Sequence, residues 1–368
     1  MTERALQVRL QQAAPIPLDV QFTCAAGEMT ALFGPSGAGK TTVLRTIAGL
    51  QTCAQGHVTC GEQTWFDAKA RVNVPPHRRS VGLVFQDYAL FPHMSVRAQL
   101  LAAMSHAPAE RRAQRVEELL NLIRMQALAA RKPAELSGGQ QQRVAIARAL
   151  ARDPSVLLLD EPFAHVDRAL RDVLQHELAS LRRELRIPIV LVTHDFDDVA
   201  RLADRLVMID GGKMVASGSV AELTAANALP GVSAGREPGV VLDGAITQYD
   251  AERQLCAVQA GGVTLWLPSV TTTVGVQVRL QIAAREIILA TSRPEGISLH
   301  NVVPCKVVAV APDEQTGLAL VTLQAHSLRL LALVTRAAVS NLRLAPEREV
   351  LALIKAVSID AFVDAAPR

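Results

Sequence analysis

Two adjacent carboxylates, a lysine and a histidine carry most of the chemistry open to this chain. VLLLDEP (residues 156–162) sets Asp160 and Glu161 side by side at the end of an apolar run. Acids so placed can bind Mg2+ through its water shell with one carboxylate and polarise an attacking water with the other. GPSGAGKT (residues 34–41) fits the pattern G-x-x-x-x-G-K-[ST] after an apolar run and before a helix-like one. Gly34, Gly37 and Gly39 let the backbone close around phosphates with its N–H groups inward, with Pro35, Ser36 and Ala38 between them. Lys40 can reach β- and γ-phosphate oxygens, the Thr41 hydroxyl can ligate Mg2+, and Thr42 completes the nucleotide-binding run. The ligand this chemistry implies is a nucleoside triphosphate with Mg2+.

VTHD (residues 192–195) ends a second apolar run in His194. Parallel sheets bind ligands at such strand ends, so His194 is expected to contact the γ-phosphate. Gln86, within VFQDYALFPHMSV (residues 84–96), is a candidate for Mg2+ or the water. LSGGQQQR (residues 136–143) is a second anion-binding helix start: Ser137 offers a hydroxyl, Gly138 and Gly139 offer close-approach amides, and Gln140 follows. One chain with one lysine-bearing loop has no second phosphate for it to hold. A head-to-tail pair of subunits supplies one, with Ser137 of each facing the γ-phosphate held by Lys40 of the other.

These residues need a frame. Residues 29–33 (MTALF) read as a strand and residues 42–50 as a helix, giving strand, loop, helix. Residues 156–159 and 189–192 are buried-strand candidates, with residues 168–186 as a crossover helix between them. That alternation predicts a parallel sheet. Residues 98–151 turn to Ala, Leu, Arg, Glu and Gln with few glycines, the mark of a helical subdomain broken only by KPAELSGG.

With these motifs in this order, the chain resembles the ATP-binding cassette family over about residues 1–230. The matching segments are the Walker A loop, the Q-loop Gln86, the LSGGQ signature, Walker B with Glu161, the D-loop Asp167 and the H-loop His194. The resemblance implies that Ser137, Gly138, Gly139, Gln140 and Asp167 act in trans across a homodimer that closes on two ATP molecules and reopens on hydrolysis. Two departures stand out. The family usually has an aromatic near its N-terminus that stacks on adenine, whereas no Phe, Tyr or Trp precedes Phe22 here. The D-loop Asp167 is preceded by Ala164, His165 and Val166, with no serine.

Composition narrows the setting. The 368 residues suffice for two domains, and 49% hydrophobic content is ordinary for folded protein. The net charge is only +3, and the basic clusters at residues 77–79 and 111–115 are short and separate in sequence, so they read as solvated faces. Aromatics at 3% argue further against a nucleic-acid surface. Cys24, Cys53, Cys60, Cys256 and Cys305 form no CxxC pair, which fits a reducing cytoplasm and neither a disulfide framework nor a zinc site. The opening residues are too charged for a signal peptide, and no run approaches 18 apolar residues. Work at a membrane therefore requires partner subunits.

The texture changes near residue 230, where residues 230–239 (PGVSAGREPG) read as a linker, its centre at 231–238. Beyond lie short Val, Leu and Ile runs, an all-β tail of small-barrel type over residues 239–368. VGVQVRLQIAAREIILA (residues 274–290) aligns without gaps with PEREVLALIKAVSIDAF (residues 346–362), pairing Val278 with Val350, Ile282 with Ile354, Ala284 with Ala356 and Ile287 with Ile359. Residues 282–310 resemble the Mop type of TOBE domain found in molybdate importer ATPases, in which a Ser-x-[Arg/His]-Asn segment begins a barrel strand. Ser298, His300 and Asn301 match it. An oxyanion accepts hydrogen bonds, so these donors and Lys306 form the expected site for molybdate or tungstate. The alternative is that Ser298 and Asn301 shape a turn.

The expectation is thus an α/β P-loop ATPase domain (residues 1–230) with an inserted helical subdomain (about 88–153), followed by an OB-like TOBE/Mop domain. Residues 84–96 look like the segment of importer subunits that receives a helix from the membrane protein, with Phe91, Pro92 and Met94 as its socket. The resemblance implies a molybdate importer ATPase peripheral to the cytoplasmic face of the membrane. Its partners would be permease subunits and a periplasmic or extracellular molybdate-binding protein, with no nucleic acid. The rivals are the same ATPase with tungstate, sulfate or another solute as cargo, a soluble cassette ATPase, and a regulatory oxyanion binder with a dead cassette. Intact Lys40, Asp160 and Glu161 argue against the last.

Overall fold

The computed structural model describes residues 5–104, 108–164, 166–227, 238–313 and 316–364. The chain divides into two compact units, Met1–Gly218 and Ser219–Arg368.

In chain order the first unit holds β1 (Leu6–Gln12), β2 (Leu18–Cys24), β3 (Met29–Phe33), α1 (Lys40–Ala48), β4 (Gln55–Cys60), β5 (Gln63–Asp67), β6 (Val72–Asn73) and β7 (Val81–Val84). Then come α2 (Val96–Ala103), α3 (Ala109–Leu122), α4 (Gly138–Leu150), β8 (Val156–Asp160), α5 (Arg168–Leu185), β9 (Ile189–Thr193), α6 (Phe196–Leu202), β10 (Arg205–Asp210) and β11 (Lys213–Ser219). All eleven strands join one sheet in the order β6-β5-β4-β1-β2-β11-β10-β3-β9-β8-β7. From β10 to β7 the pairing is parallel, while β1, β2, β4, β5 and β6 pair antiparallel.

Every residue of β3, β8 and β9 is buried, which is why these runs are mostly apolar throughout rather than alternating, with Val, Leu and Ile dominating β8 and β9. Their period-two pleat still sorts side chains between two cores. Val156, Leu158, Val190 and Val192 pack with Val43, Leu44 and Ile47 of α1, and Leu157, Leu159, Ile189 and Leu191 pack with α3, α4 and α5 on the opposite face. A buried arginine anchors α1: Arg79 donates to Thr46 O and Ile47 O, both at 2.8 Å, closing the carbonyl end of the phosphate-loop helix.

The second unit begins with α7 (Val220–Ala225), which the sequence assigned to the first domain. The reason is local: the Thr224 hydroxyl accepts from Val241 N at 3.1 Å, pinning α7 to the next strand. The expected linker core, residues 231–237, lies outside the described residues. There follow β12 (Gly239–Asp250), β13 (Leu255–Ala260), β14 (Val263–Pro268), β15 (Gln277–Ala283), β16 (Ile287–Ala290), β17 (Asn301–Pro312), β18 (Leu318–Ala325), β19 (Leu328–Thr335), α8 (Arg336–Asn341), β20 (Glu349–Ile354) and β21 (Ile359–Asp364). Two five-stranded antiparallel sheets, β14-β13-β12-β15-β21 and β16-β20-β17-β18-β19, share one apolar core.

The aligned segments at residues 274–290 and 346–362 occupy equivalent places. Each is a strand (β15 or β20), a 3-10 turn, and a short strand (β16 or β21). The short strands are exchanged: β21 pairs with β15, and β16 with β20. The register repeats under the exchange, with Ile282 opposite Ile359 and Ile354 opposite Ile287.

Candidate functional site

The parallel strands β3, β9 and β8 are neighbours, so the loops leaving their carboxyl ends converge. After β3 comes the glycine loop. Gly34 has no room for a side chain, since a Cβ there would lie 2.0 Å from Ile209 O. Gly39 sits in the left-handed region (φ 97°) and leads directly into α1. Lys40 is buried, and its Nζ donates to Gly34 O at 2.8 Å and Pro35 O at 2.9 Å. Burial pulls the Lys40 pKa down, against the nearby Glu161 and Asp160 charges.

The Thr41 hydroxyl donates to Asp160 Oδ1 at 3.1 Å, across from the end of β8. Burial pushes the Asp160 carboxyl above its usual range, partly offset by that hydrogen bond. Glu161 adopts a left-handed backbone (φ 44°), sparse for a residue with a side chain. Two backbone bonds hold it there, Glu161 N to Val192 O (3.0 Å) and Ala164 N to Glu161 O (3.2 Å). The turn brings Glu161 Oε1 to 3.2 Å from His194 Nδ1, which follows β9. Lys40, Thr41, Asp160, Glu161 and His194 are therefore gathered at one sheet end. Gln86 follows β7 and is exposed.

The surface beside the loop is aliphatic. Leu18 Cδ2 and Ile16 Cγ2 lie 3.0 and 4.0 Å from where a Cβ of Gly39 would stand, and Ile16 is 38% exposed while Leu18 is buried. Gly212 seats this turn, donating from its N–H to Ala38 O (3.1 Å) and passing within 1.9 Å of Pro17 O where a Cβ would be.

Ser137 caps α4 in a reciprocal box with Gln140, and Ser137 and Gly138 are exposed. Gly139 is buried where Leu170 and Leu174 of α5 press within 3.1 Å of a Cβ position, so α4 and α5 pack closely here. Asp167 caps α5 by accepting from Leu170 N at 3.0 Å, and His165 before it lies outside the described residues. The segment after Gln86 leaves Phe91 44% exposed, Pro92 exposed and Met94 half-buried. Arg148 of α4 holds it, donating to Tyr88 O (2.9 Å) and Ala89 O (2.6 Å) with its guanidinium 5.5 Å from the Phe91 ring centre. No spacing in the sequence marks Arg148, because its partners are backbone carbonyls.

The residues of the tail set differ in their surroundings. Ser298 and His300 are exposed, and Lys306 pairs with Glu347. Asn301 is 2% exposed, with its Oδ1 accepting from Trp266 N (2.6 Å) and its Nδ2 donating to Trp266 O (2.8 Å). Its amide stands in for a strand neighbour of β14, which corrects its reading as an open oxyanion donor. Among the described residues no helix is long and apolar enough to cross a membrane, and no group of three or more His, Cys, Asp and Glu residues could hold a metal ion.

A glycine phosphate loop, paired acids and a histidine on neighbouring parallel strands, with a helical insertion carrying its own capped glycine start, define an ABC ATPase. Residues 18–164 match the ABC transporter family and residues 297–361 the TOBE domain. The "Molybdenum import ATP-binding protein ModC" of Brucella abortus (strain 2308) is 41% identical over 339 residues, covering 91% of this chain and 92% of that protein. The protein of the same name from Albidiferax ferrireducens is 39% identical, covering 96% and 95%. Among solved structures, cbiO1 from Clostridium perfringens, part of the ABC transporter complex cbiONQ, superposes with a TM-score of 0.55 at 28% identity over 61% of this chain and 92% of that one. The chain belongs to the molybdenum import ATP-binding family of ABC transporter subunits.

Proposed function

We propose that two copies of this chain hydrolyse ATP at the cytoplasmic face of a cell membrane and thereby power molybdate import through permease subunits served by an external binding protein. The observation that carries this reading is the meeting of Lys40, Thr41, Asp160, Glu161 and His194 at one sheet end. Membership of the molybdenum import family along 91% of the chain supplies the cargo.

Residues 34–42 wrap the phosphates, and Lys40 exchanges the Gly34 and Pro35 carbonyls for β- and γ-phosphate oxygens. The Thr41 hydroxyl and Asp160 carboxylate are two oxygen groups 3.1 Å apart, the hard donors Mg2+ prefers. They would hold the ion with phosphate oxygens and water completing its shell, and when bound it neutralises charge on the phosphates. Glu161 takes a proton from the attacking water as the new bond to the γ-phosphorus forms and the bond to the β-phosphate oxygen breaks, giving ADP and phosphate. His194 steadies Glu161 through Nδ1 and turns Nε2 to the γ-phosphate, while Gln86 orients the water. Across the dimer, the partner's Ser137, Gly138, Gly139, Gln140 and Asp167 close the other side of the nucleotide. Ile16 gives the base an apolar surface in place of a ring.

Phe91, Pro92 and Met94 form the apolar surface for a permease helix. In the second unit, Ser298 and His300 remain as exposed donors toward an oxyanion.

The test is elemental analysis of cells lacking this protein, grown in scarce molybdate and given either the wild type or Glu161→Gln. Wild type alone should restore cellular molybdenum. Equal molybdenum in all three strains, under conditions where uptake limits it, removes the molybdate assignment; uptake of tungstate and sulfate then separates the remaining cargoes.

A further inference from the structure

Asp198 lies on α6, outside every motif described above, and is 1% exposed. A buried carboxylate is costly unless its oxygens are well occupied, and these are. The Thr193 hydroxyl donates to Asp198 Oδ2 at 2.7 Å and Gln175 Nε2 to Oδ1 at 2.6 Å. The Arg171 guanidinium approaches within 3.3 Å and also binds the Asp195 carboxylate. Burial pushes the Asp198 carboxyl upward, and the Thr193 hydroxyl and Arg171 oppose it.

The placement of these partners gives the cluster its meaning. Thr193 and Asp195 flank His194, and Thr193 Oγ1 also accepts from Asp195 N at 3.0 Å, so the backbone on both sides of the imidazole is tied to the cluster. Arg171 and Gln175 lie on the first two turns of α5, and Arg171 N donates to Asp167 O at 2.9 Å. One buried acid therefore joins the turn that carries His194 to the helix start that carries Asp167.

We propose that Asp198 is a positioning residue for ATP hydrolysis: with Arg171 and Thr193 it fixes the His194 turn against the head of α5, and so sets the imidazole at Glu161. This rests on the role given to His194 above. Because the cluster touches neither the phosphate loop nor the acids directly, its removal should act on turnover and pass through His194.

The experiment is a double-mutant cycle in purified full-length protein, measuring kcat and KM for Mg-ATP in the wild type, Asp198→Asn, His194→Ala and the double variant. Asp198→Asn keeps the side-chain volume. It should lower kcat about tenfold, the cost of a misplaced group, with KM within about twofold. In the His194→Ala background the same change should cost less than about twofold, since the residue it positions is gone. Losses that simply multiply, or a raised KM at unchanged kcat, overturn the proposal. If His194→Ala alone leaves kcat unchanged, the reading of His194 fails and the proposal with it. Thr193→Val, which removes one hydroxyl and no charge, repeats the cycle should Asp198→Asn not fold, with the same two outcomes decisive.

Discussion

Glu161 Oε1 and His194 Nδ1 stand 3.2 Å apart although the residues leave different strands, β8 and β9. The contact exists because those strands are adjacent and parallel and because Glu161 accepts a left-handed backbone that turns its carboxylate toward its neighbour. Glu161→Gln preserves the shape and removes the proposed base. ATP binding should persist while kcat drops at least about 100-fold, as expected for losing a general base, and ATP-dependent dimers should accumulate. Steady-state hydrolysis and light scattering in Mg-ATP check both; ordinary turnover in the variant removes Glu161 from its role.

Asp160 illustrates a site held at a cost to the fold. Its carboxyl is pushed above the ordinary value of 3.8 by burial, so the native state binds its proton more tightly than the unfolded chain does. The sign follows: between the unfolded and folded pKa values the native state holds more protons, so stability falls as pH rises through that window and stays lower above it. Asp160→Asn should therefore raise the nucleotide-free melting temperature at pH 7 while abolishing hydrolysis. The gain should shrink toward acid pH, where Asp160 itself is protonated. Calorimetry at pH 7 and at successively lower pH measures the difference, and a lowered melting temperature at pH 7 would contradict the assignment.

In the proposed site Ile16 would offer a base dispersion contacts but no ring stacking. Replacing it with Asp should raise KM for ATP about fivefold, ~1 kcal/mol of lost apolar contact, at unchanged kcat. Ile16→Tyr should lower KM and sharpen the preference for purine over pyrimidine nucleotides. Kinetics with ATP, GTP and CTP would reveal an irrelevant Ile16 as three unchanged KM values.

Asn301 should behave as a structural residue. Asn301→Ala strips partners from Trp266 N–H and C=O and should destabilise the second unit by about 1–3 kcal/mol. Ser298→Ala, at an exposed position, should leave stability within about 0.5 kcal/mol. Urea melts followed by tryptophan fluorescence compare them, and equal midpoints for Asn301→Ala and the wild type would sink this account.

The candidate residues were legible where their chemistry is written contiguously. GPSGAGKT, LSGGQ and VLLLDEP each carry backbone geometry and side chains in one short run, and the continuous apolar runs of β3, β8 and β9 announce the parallel strands that gather them. What the sequence hid depends on partners far along the chain. Asn301 reads as a free donor until β14 is seen beside it, and Arg79, Arg148 and Asp198 bind groups that no local pattern marks. The placement of α7 depends on its packing against β12 and β19, with the Thr224 hydroxyl meeting the backbone at Val241. The aligned halves of the tail revealed a repeat, but similarity between two segments carries no record of which sheet each strand joins.

That exchange of β16 and β21 has a consequence for the folding of the tail. Neither half owns a complete sheet: cut between them, each would keep a strand whose natural neighbour had left and present a bare row of amides and carbonyls. A lone half could heal that edge with another copy of itself, trading short strands across a twofold axis. The present tail amounts to such a pair written as one polypeptide, so the concentration dependence of an assembly has become the fixed proximity of a tether.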